Sequence, residues 1–175
     1  CLKLLLEVGA SIEAKDTKGF TALHCSASFG TDACLKLLLE AGANIEVKGK
    51  DEWTALHGSA HGGYDACLKL LLEAGANIEA KIDTEQTALH LSAQNGKDPC
   101  LKLLLEAGAN IEAKEERGYT ALHCSAMNGK DPCLKLLLEA GANTEAKEVM
   151  GSTALHLSAS EGNDPCLKLL LEAGA

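Results

Sequence analysis

An all-α solenoid, made of stacked helix-turn-helix repeats with projecting β-hairpin-like loops, is the fold class this sequence predicts. Three observations carry that reading. The string CLKLLLEAGA occurs at Cys34–Ala43, Cys67–Ala76, Cys100–Ala109, Cys133–Ala142 and Cys166–Ala175, and Cys1–Ala10 differs from it only at Val8. The copies stand 33 residues apart throughout. Each is followed by the same punctuation, so every copy ends and turns in the same way.

The leucine string is the stacking helix. In the copy at Cys100, stepping 100° per residue spreads Cys100, Leu101, Leu103, Leu104 and Leu105 over about 200° of the circumference. Lys102 and Glu106 fill the gap. An ordinary surface helix has a stripe about half that wide, so this one expects cover on several sides. Its own copies are the obvious cover, because helices this short are not stable alone. Gly108 stands where a helix ends in the left-handed conformation that glycine adopts cheaply.

The chain then reads in order. Residues 1–15 are a partial repeat, with a second helix and its loop. Full units run 16–48, 49–81, 82–114 and 115–147, and 148–175 stops after its second helix; together they form one continuous repeat domain. Within a unit, Thr87 caps a first helix of about two turns over ALHLSAQN, and Gly96 ends it. Asp98 is expected to cap the second helix, with Pro99 in its first turn. Asp131–Pro132 and Asp164–Pro165 repeat this, while Asp32–Ala33 and Asp65–Ala66 keep the acid without the proline. NIEAK and the residues after it form the projecting loop.

These motifs resemble the ankyrin repeat family over the whole chain. The likeness rests on the 33-residue period, GFTALHCSA or GYTALHCSA opening the first helix, and LKLLLEAGANIEAK closing the unit. Alanine (Ala22, Ala55, Ala88, Ala121, Ala154) stands where the family often has proline, and Ser26, Ser59, Ser92, Ser125 and Ser158 replace the first of two alanines. The loop-tip glycine is kept at Gly19, Gly118 and Gly151 but is Glu52 and Glu85 elsewhere. A side chain raises the energy of a positive φ, so those two tips are expected to bend differently.

Charge and composition narrow the function classes. The net charge of -9 works against binding phosphate backbones, so nucleic acid is not an expected partner. Lys and Glu interrupt every leucine cluster, leaving no apolar run of membrane-spanning length. Six of the eight cysteines recur at one position of the repeat. Stacked repeats lie roughly 10 Å apart, beyond disulfide reach, so free thiols in an intracellular, cytoplasmic setting are expected.

No catalytic, cofactor or metal site is expected. The column His24, His57, His90, His123 and His156 lies too widely spaced for two members to share a zinc. The resemblance implies that each ties one repeat to the next through backbone hydrogen bonds. Cys25 and Cys124 follow a histidine directly, and helix neighbours point about 100° apart, so neither forms a Cys–His nucleophile. Lysines at the loop base (Lys15, Lys48, Lys81, Lys114, Lys147) and glutamates two residues earlier (Glu13, Glu46, Glu79, Glu112, Glu145) form rows expected to pair diagonally.

Two positions vary while the core string does not. One reads Phe20, Trp53, Gln86, Tyr119, Ser152; the other, before the turn glycine, includes Phe29, His61, Gln94 and Met127. Aromatics at such loops concentrate binding energy, or else cover the neighbouring loop. The resulting reading is a non-catalytic protein–protein interaction scaffold that presents a concave surface of loop tips and first helices. The alternative is a structural repeat protein that assembles end to end into filaments, or an interior segment of a longer array. That second reading implies head-to-tail self-association through uncapped ends, at Leu2 and Leu5 on one side and Leu167 and Leu170 on the other.

Overall fold

The computed structural model describes residues 9–175. The helix expected at the start of the chain, with Cys1, Leu2 and Leu5, lies outside the described residues. Each unit contributes a helix pair: α1 (Ala22–Ser28) and α2 (Asp32–Glu40), α3 (Ala55–Gly62) and α4 (Asp65–Glu73), α5 (Ala88–Asn95) and α6 (Asp98–Glu106). The series continues with α7 (Ala121–Met127) and α8 (Asp131–Glu139), then α9 (Ala154–Ser160) and α10 (Asp164–Glu172). First helices stack on first helices and second on second, giving two layers along the array. No helix among the described residues is long and apolar enough to cross a membrane.

Local chemistry sets each boundary. At Thr21, Thr54, Thr87, Thr120 and Thr153 the side chain accepts the N–H three residues on, and the histidine there returns a bond to the threonine N–H. This is a capping box in which histidine takes the usual glutamate's place. Gly63 and Gly96 close their helices at φ 83° and 66°, a conformation that suits glycine. The second helices begin one residue earlier than their sequence suggested. Asp98 is the first helical residue and Lys97 the cap, and the same shift holds at Asp32, Asp65, Asp131 and Asp164. The aspartates bring negative charge to the positive end of the helix dipole rather than a capping side chain.

The core runs between the layers. Leu23, Leu56, Leu89 and Leu122 meet the second-helix pairs Leu35/Leu38, Leu68/Leu71, Leu101/Leu104 and Leu134/Leu137, all fully buried or nearly so. Burial of each leucine contributes about 2 kcal/mol. The covered arc is narrower than expected: Leu103 and Leu105 are only half-buried, and Leu171 of the last helix is 56% exposed.

Loops project from this double layer as hairpins without regular strands among the described residues. Each is closed by a backbone bond across its base, from Asp16 to Phe20, Gly49 to Trp53, Ile82 to Gln86, Glu115 to Tyr119 and Glu148 to Ser152, at 2.8–3.1 Å. Neighbouring tips are joined as well. Lys50 N–H donates to Lys18, Asp83 to Asp51, Glu116 to Thr84 and Val149 to Arg117. The fingers are therefore one continuous hydrogen-bonded row.

Candidate protein-interaction face

The histidine column forms the floor behind the fingers. Nδ1 of each histidine accepts the threonine N–H, so the proton sits on Nε2. That N–H donates to a carbonyl of the following repeat at His24 (Trp53, 3.1 Å) and His90 (Tyr119, 3.0 Å), whereas His57 donates to Ala80 in the loop of its own repeat at 2.9 Å. His123 Nε2 is buried without a partner among the described residues. Burial lowers the pKa of His24, His90 and His123, and that of His57 to about 4. Both ring nitrogens of three of these histidines are occupied, which leaves no lone pair for a metal. Among the described residues no three metal-ligating side chains converge.

Five fingers use two different turns. In the first, fourth and fifth, an acid at the base accepts two backbone N–H groups: Asp16 from Lys18 and Phe20, Glu115 from Arg117 and Tyr119, Glu148 from Met150 and Ser152. Those two bonds hold the Glu148 carboxyl below its ordinary value. The second and third fingers have Gly49 and Ile82 at that base and place the acid at the tip instead. There Lys48 pairs with Glu52 and Lys81 with Glu85, at 2.6 and 2.7 Å. With a glycine tip the same lysine column reaches the next repeat: Lys15 and Lys114 donate to the carbonyls of Lys48 and Lys147.

Two expectations are corrected here. Glu85 takes φ 63° and keeps the turn of the glycine tips, its N–H donating to Ile82 as Gly118 donates to Glu115. Only the second tip bends differently, with Asp51 and Glu52 both at positive φ in a short 3-10 turn over Lys50–Glu52. The glutamate and lysine rows do not pair diagonally among the described residues. Glu13, Glu46, Glu79 and Glu112 instead accept the backbone N–H of Asn44, Asn77, Asn110 and Asn143 in the next repeat, at 2.7–2.8 Å. A charge-assisted bond to a fixed N–H outcompetes an exposed ion pair.

The variable residues gather along one face. Phe20 lies over His24, with ring centres 5.3 Å apart, and across Gly49 of the neighbouring finger, where any side chain would strike the ring. Trp53 covers His57 and meets the exposed His61 edge-on at 5.5 Å; Tyr119 stacks on His123 at 5.9 Å. All three aromatics are half-buried, so part of each ring packs and part faces the groove. Gln86 bonds Gln94 at 3.1 Å, and with Tyr119 and Met127 they line a cleft of about 200 Å³ between the third and fourth fingers. A second cleft, lined by Phe20, Trp53 and His61, opens between the first and second fingers. Phe29 is 74% exposed beside the first finger, and Ser152 is half-buried at the base of the fifth.

Three contributors were missed in the sequence. Lys18, Lys50 and Arg117 line the clefts from the tips. Their signal was variation within the loop two or three residues before the aromatic position. The seven described cysteines are free thiols. Cys67, Cys100, Cys133 and Cys166 point back at serine carbonyls of the preceding repeat, and burial raises their thiols, to about 12 for Cys100 and Cys133. Cys124 is buried likewise, whereas Cys25 and Cys34 are exposed.

Paired helices, hydrogen-bonded fingers and a histidine-floored groove define a helical-repeat solenoid with a side-chain-variable face. The family model described as ankyrin repeats (3 copies) matches residues 1–82, 47–115 and 89–175, and the chain belongs to the ankyrin repeat family. Such repeats are generally protein–protein interaction modules. A comparison with curated proteins finds no match.

Proposed function

We propose that this chain is a non-catalytic scaffold whose finger bases and first helices hold a protein partner inside the cell. The observation that carries the reading is the segregation of variation. Phe20, Trp53, Gln86, Tyr119, His61, Gln94 and Met127 line clefts on one face, whereas the leucine string beneath is invariant from unit to unit. A framework that is constant in its core and varied along one groove suits recognition. Because Trp53 and Tyr119 also cover histidines, alanine at those positions lowers the melting temperature as well as affinity. The cleaner test is His61→Ala with Met127→Ala. Weakening of a captured partner by more than about 1 kcal/mol, with the melting curve unmoved, supports the groove. Unchanged affinity removes it.

The alternative reading is an array that assembles end to end or runs on in a longer chain. Ala22 and Cys34 are exposed while their equivalents Ala55 and Cys67 are 1% exposed, and His156 and Leu171 are open at the other end. These are the two halves of the interface that repeats four times within the chain. A further repeat, from a longer chain or a second copy, fits either half. Light scattering on this chain across a concentration series separates a monomer from a growing stack.

A further inference from the structure

The backbone bonds that join neighbouring tips also set particular residues side by side. The joined pairs are Lys18 with Lys50, Asp51 with Asp83, Thr84 with Glu116, and Arg117 with Val149. Along the row the first pair is doubly cationic and the second doubly anionic. Like charges held side by side are unfavourable, and a counter-charge supplied from outside relieves them. Local pairing does little of this. Lys18 makes no ion pair among the described residues, and Lys50 approaches Asp51 only at 4.0 Å with both side chains more than half exposed. The lysines deeper in these loops, Lys15 and Lys48, are already engaged by Lys48 O and Glu52. Lys18 and Lys50 line one cleft with Phe20, Ser28, Trp53 and His61, and Asp51, the first member of the anionic pair, lines it too. Two lysines against one aspartate over an aromatic floor make a locally cationic spot in a chain of net charge -9.

We propose that the first three fingers take an extended polypeptide segment in which an acidic residue sits between Lys18 and Lys50 and a basic residue sits between Asp51 and Asp83. A large apolar side chain beside the acidic residue fills the cleft between Phe20 and Trp53. One repeat is roughly 10 Å and an extended chain rises about 3.3 Å per residue, so the acidic and basic positions stand about three residues apart. This rests on the scaffold reading and adds the chemistry of the partner.

The test is selection of a random-peptide display library on the whole immobilised chain, followed by titration of the enriched peptides. Trp53 is the sole tryptophan and lies in the cleft, so its fluorescence reports occupancy. The expected peptides carry an acid next to a large apolar residue and a base about three positions along, and their affinity falls with added salt. Lys18→Glu with Lys50→Glu lowers that affinity about tenfold or more. Adding Asp51→Lys and Asp83→Lys to that variant selects peptides of reversed charge order. All four side chains are exposed, and an unchanged circular dichroism spectrum confirms that the variants fold. Peptides that perturb Trp53 and lose affinity in the His61→Ala, Met127→Ala variant, but carry no such charge order, overturn this inference and leave the scaffold standing. No groove-binding peptide at all overturns both. Charge-dependent binding of phosphatidylserine vesicles without any peptide binding assigns the lysines to a membrane surface and overturns the inference too.

Discussion

His57 and Ala80 are joined across 23 residues: the imidazole Nε2–H donates to the carbonyl at 2.9 Å while Nδ1 holds the Thr54 N–H. One neutral ring thus caps a helix and fastens it to the loop that leads into the next repeat. Protonation removes the Nδ1 acceptor and the cap with it. Burial accordingly lowers the His57 pKa from 6.5 to about 4. The unfolded chain takes up the proton first, so acid drains stability from the folded state, starting near pH 6.5 and levelling off near pH 4. At about 1.36 kcal/mol per pH unit, His57 alone accounts for roughly 3 kcal/mol across that window, about 2 of it gone by about pH 5. His24, His90 and His123 are lowered in the same direction. Urea midpoints between about pH 7 and pH 5, above the carboxylate range, should fall steeply, and His57→Gln should flatten the slope. A midpoint that holds or rises on acidification contradicts the assignment.

Glu85 offers a test of strain against pairing. It holds φ 63° in a turn that glycine fills elsewhere, at a cost of about 1 kcal/mol or more. Its exposed ion pair with Lys81 returns a few tenths of a kcal/mol. Glu85→Gly therefore raises stability by roughly 0.5 kcal/mol after the extra freedom of glycine in the unfolded chain is counted. A drop in melting temperature means that the ion pair outweighs the strain.

Thiol chemistry separates two classes of cysteine. Cys25 and Cys34 are exposed and react with a disulfide reagent in the native state. Cys67, Cys100, Cys124, Cys133 and Cys166 react only after unfolding, because burial keeps them as thiols. Peptide mapping of the labelled chain checks this, and native labelling at Cys100 or Cys133 contradicts the packing.

In the core, Leu104→Ala leaves a cavity between α5 and α6 and costs about 3 kcal/mol. Leu103→Ala, on the half-buried flank, costs less than half as much. Chemical denaturation of the two variants, with equal costs as the contrary outcome, decides it.

Periodicity carried most of the fold in the sequence. The leucine string, the threonine caps and the turn glycines are local signals, and each helix lies where they put it, apart from the one-residue shift at Asp98 and its equivalents. An aspartate followed by proline reads alike at the cap and at the first helical position, since both favour negative charge. The candidate face was legible only as variation. Whether Phe20 turns outward or lies over Gly49 depends on a glycine 29 residues away, and the linear pattern does not pair them. A gap of 31 residues likewise hid the bond from the Asn44 N–H to Glu13.

The row of tip bonds has a further consequence, for how such a groove can diversify. Each bond joins residues 32 apart in units of 33, so each of the three middle tips donates from one residue and accepts on its neighbour: Lys50 N–H and Asp51 C=O, Asp83 N–H and Thr84 C=O, Glu116 N–H and Arg117 C=O. Inserting or deleting one residue in any finger throws that relay out of step and turns the following side chains to the opposite side. All five fingers have the same length, though residues 16–20 and their equivalents differ from finger to finger. Spelling varies while metre is fixed, which lets a new specificity arise by substitution in one finger without breaking the row of bonds.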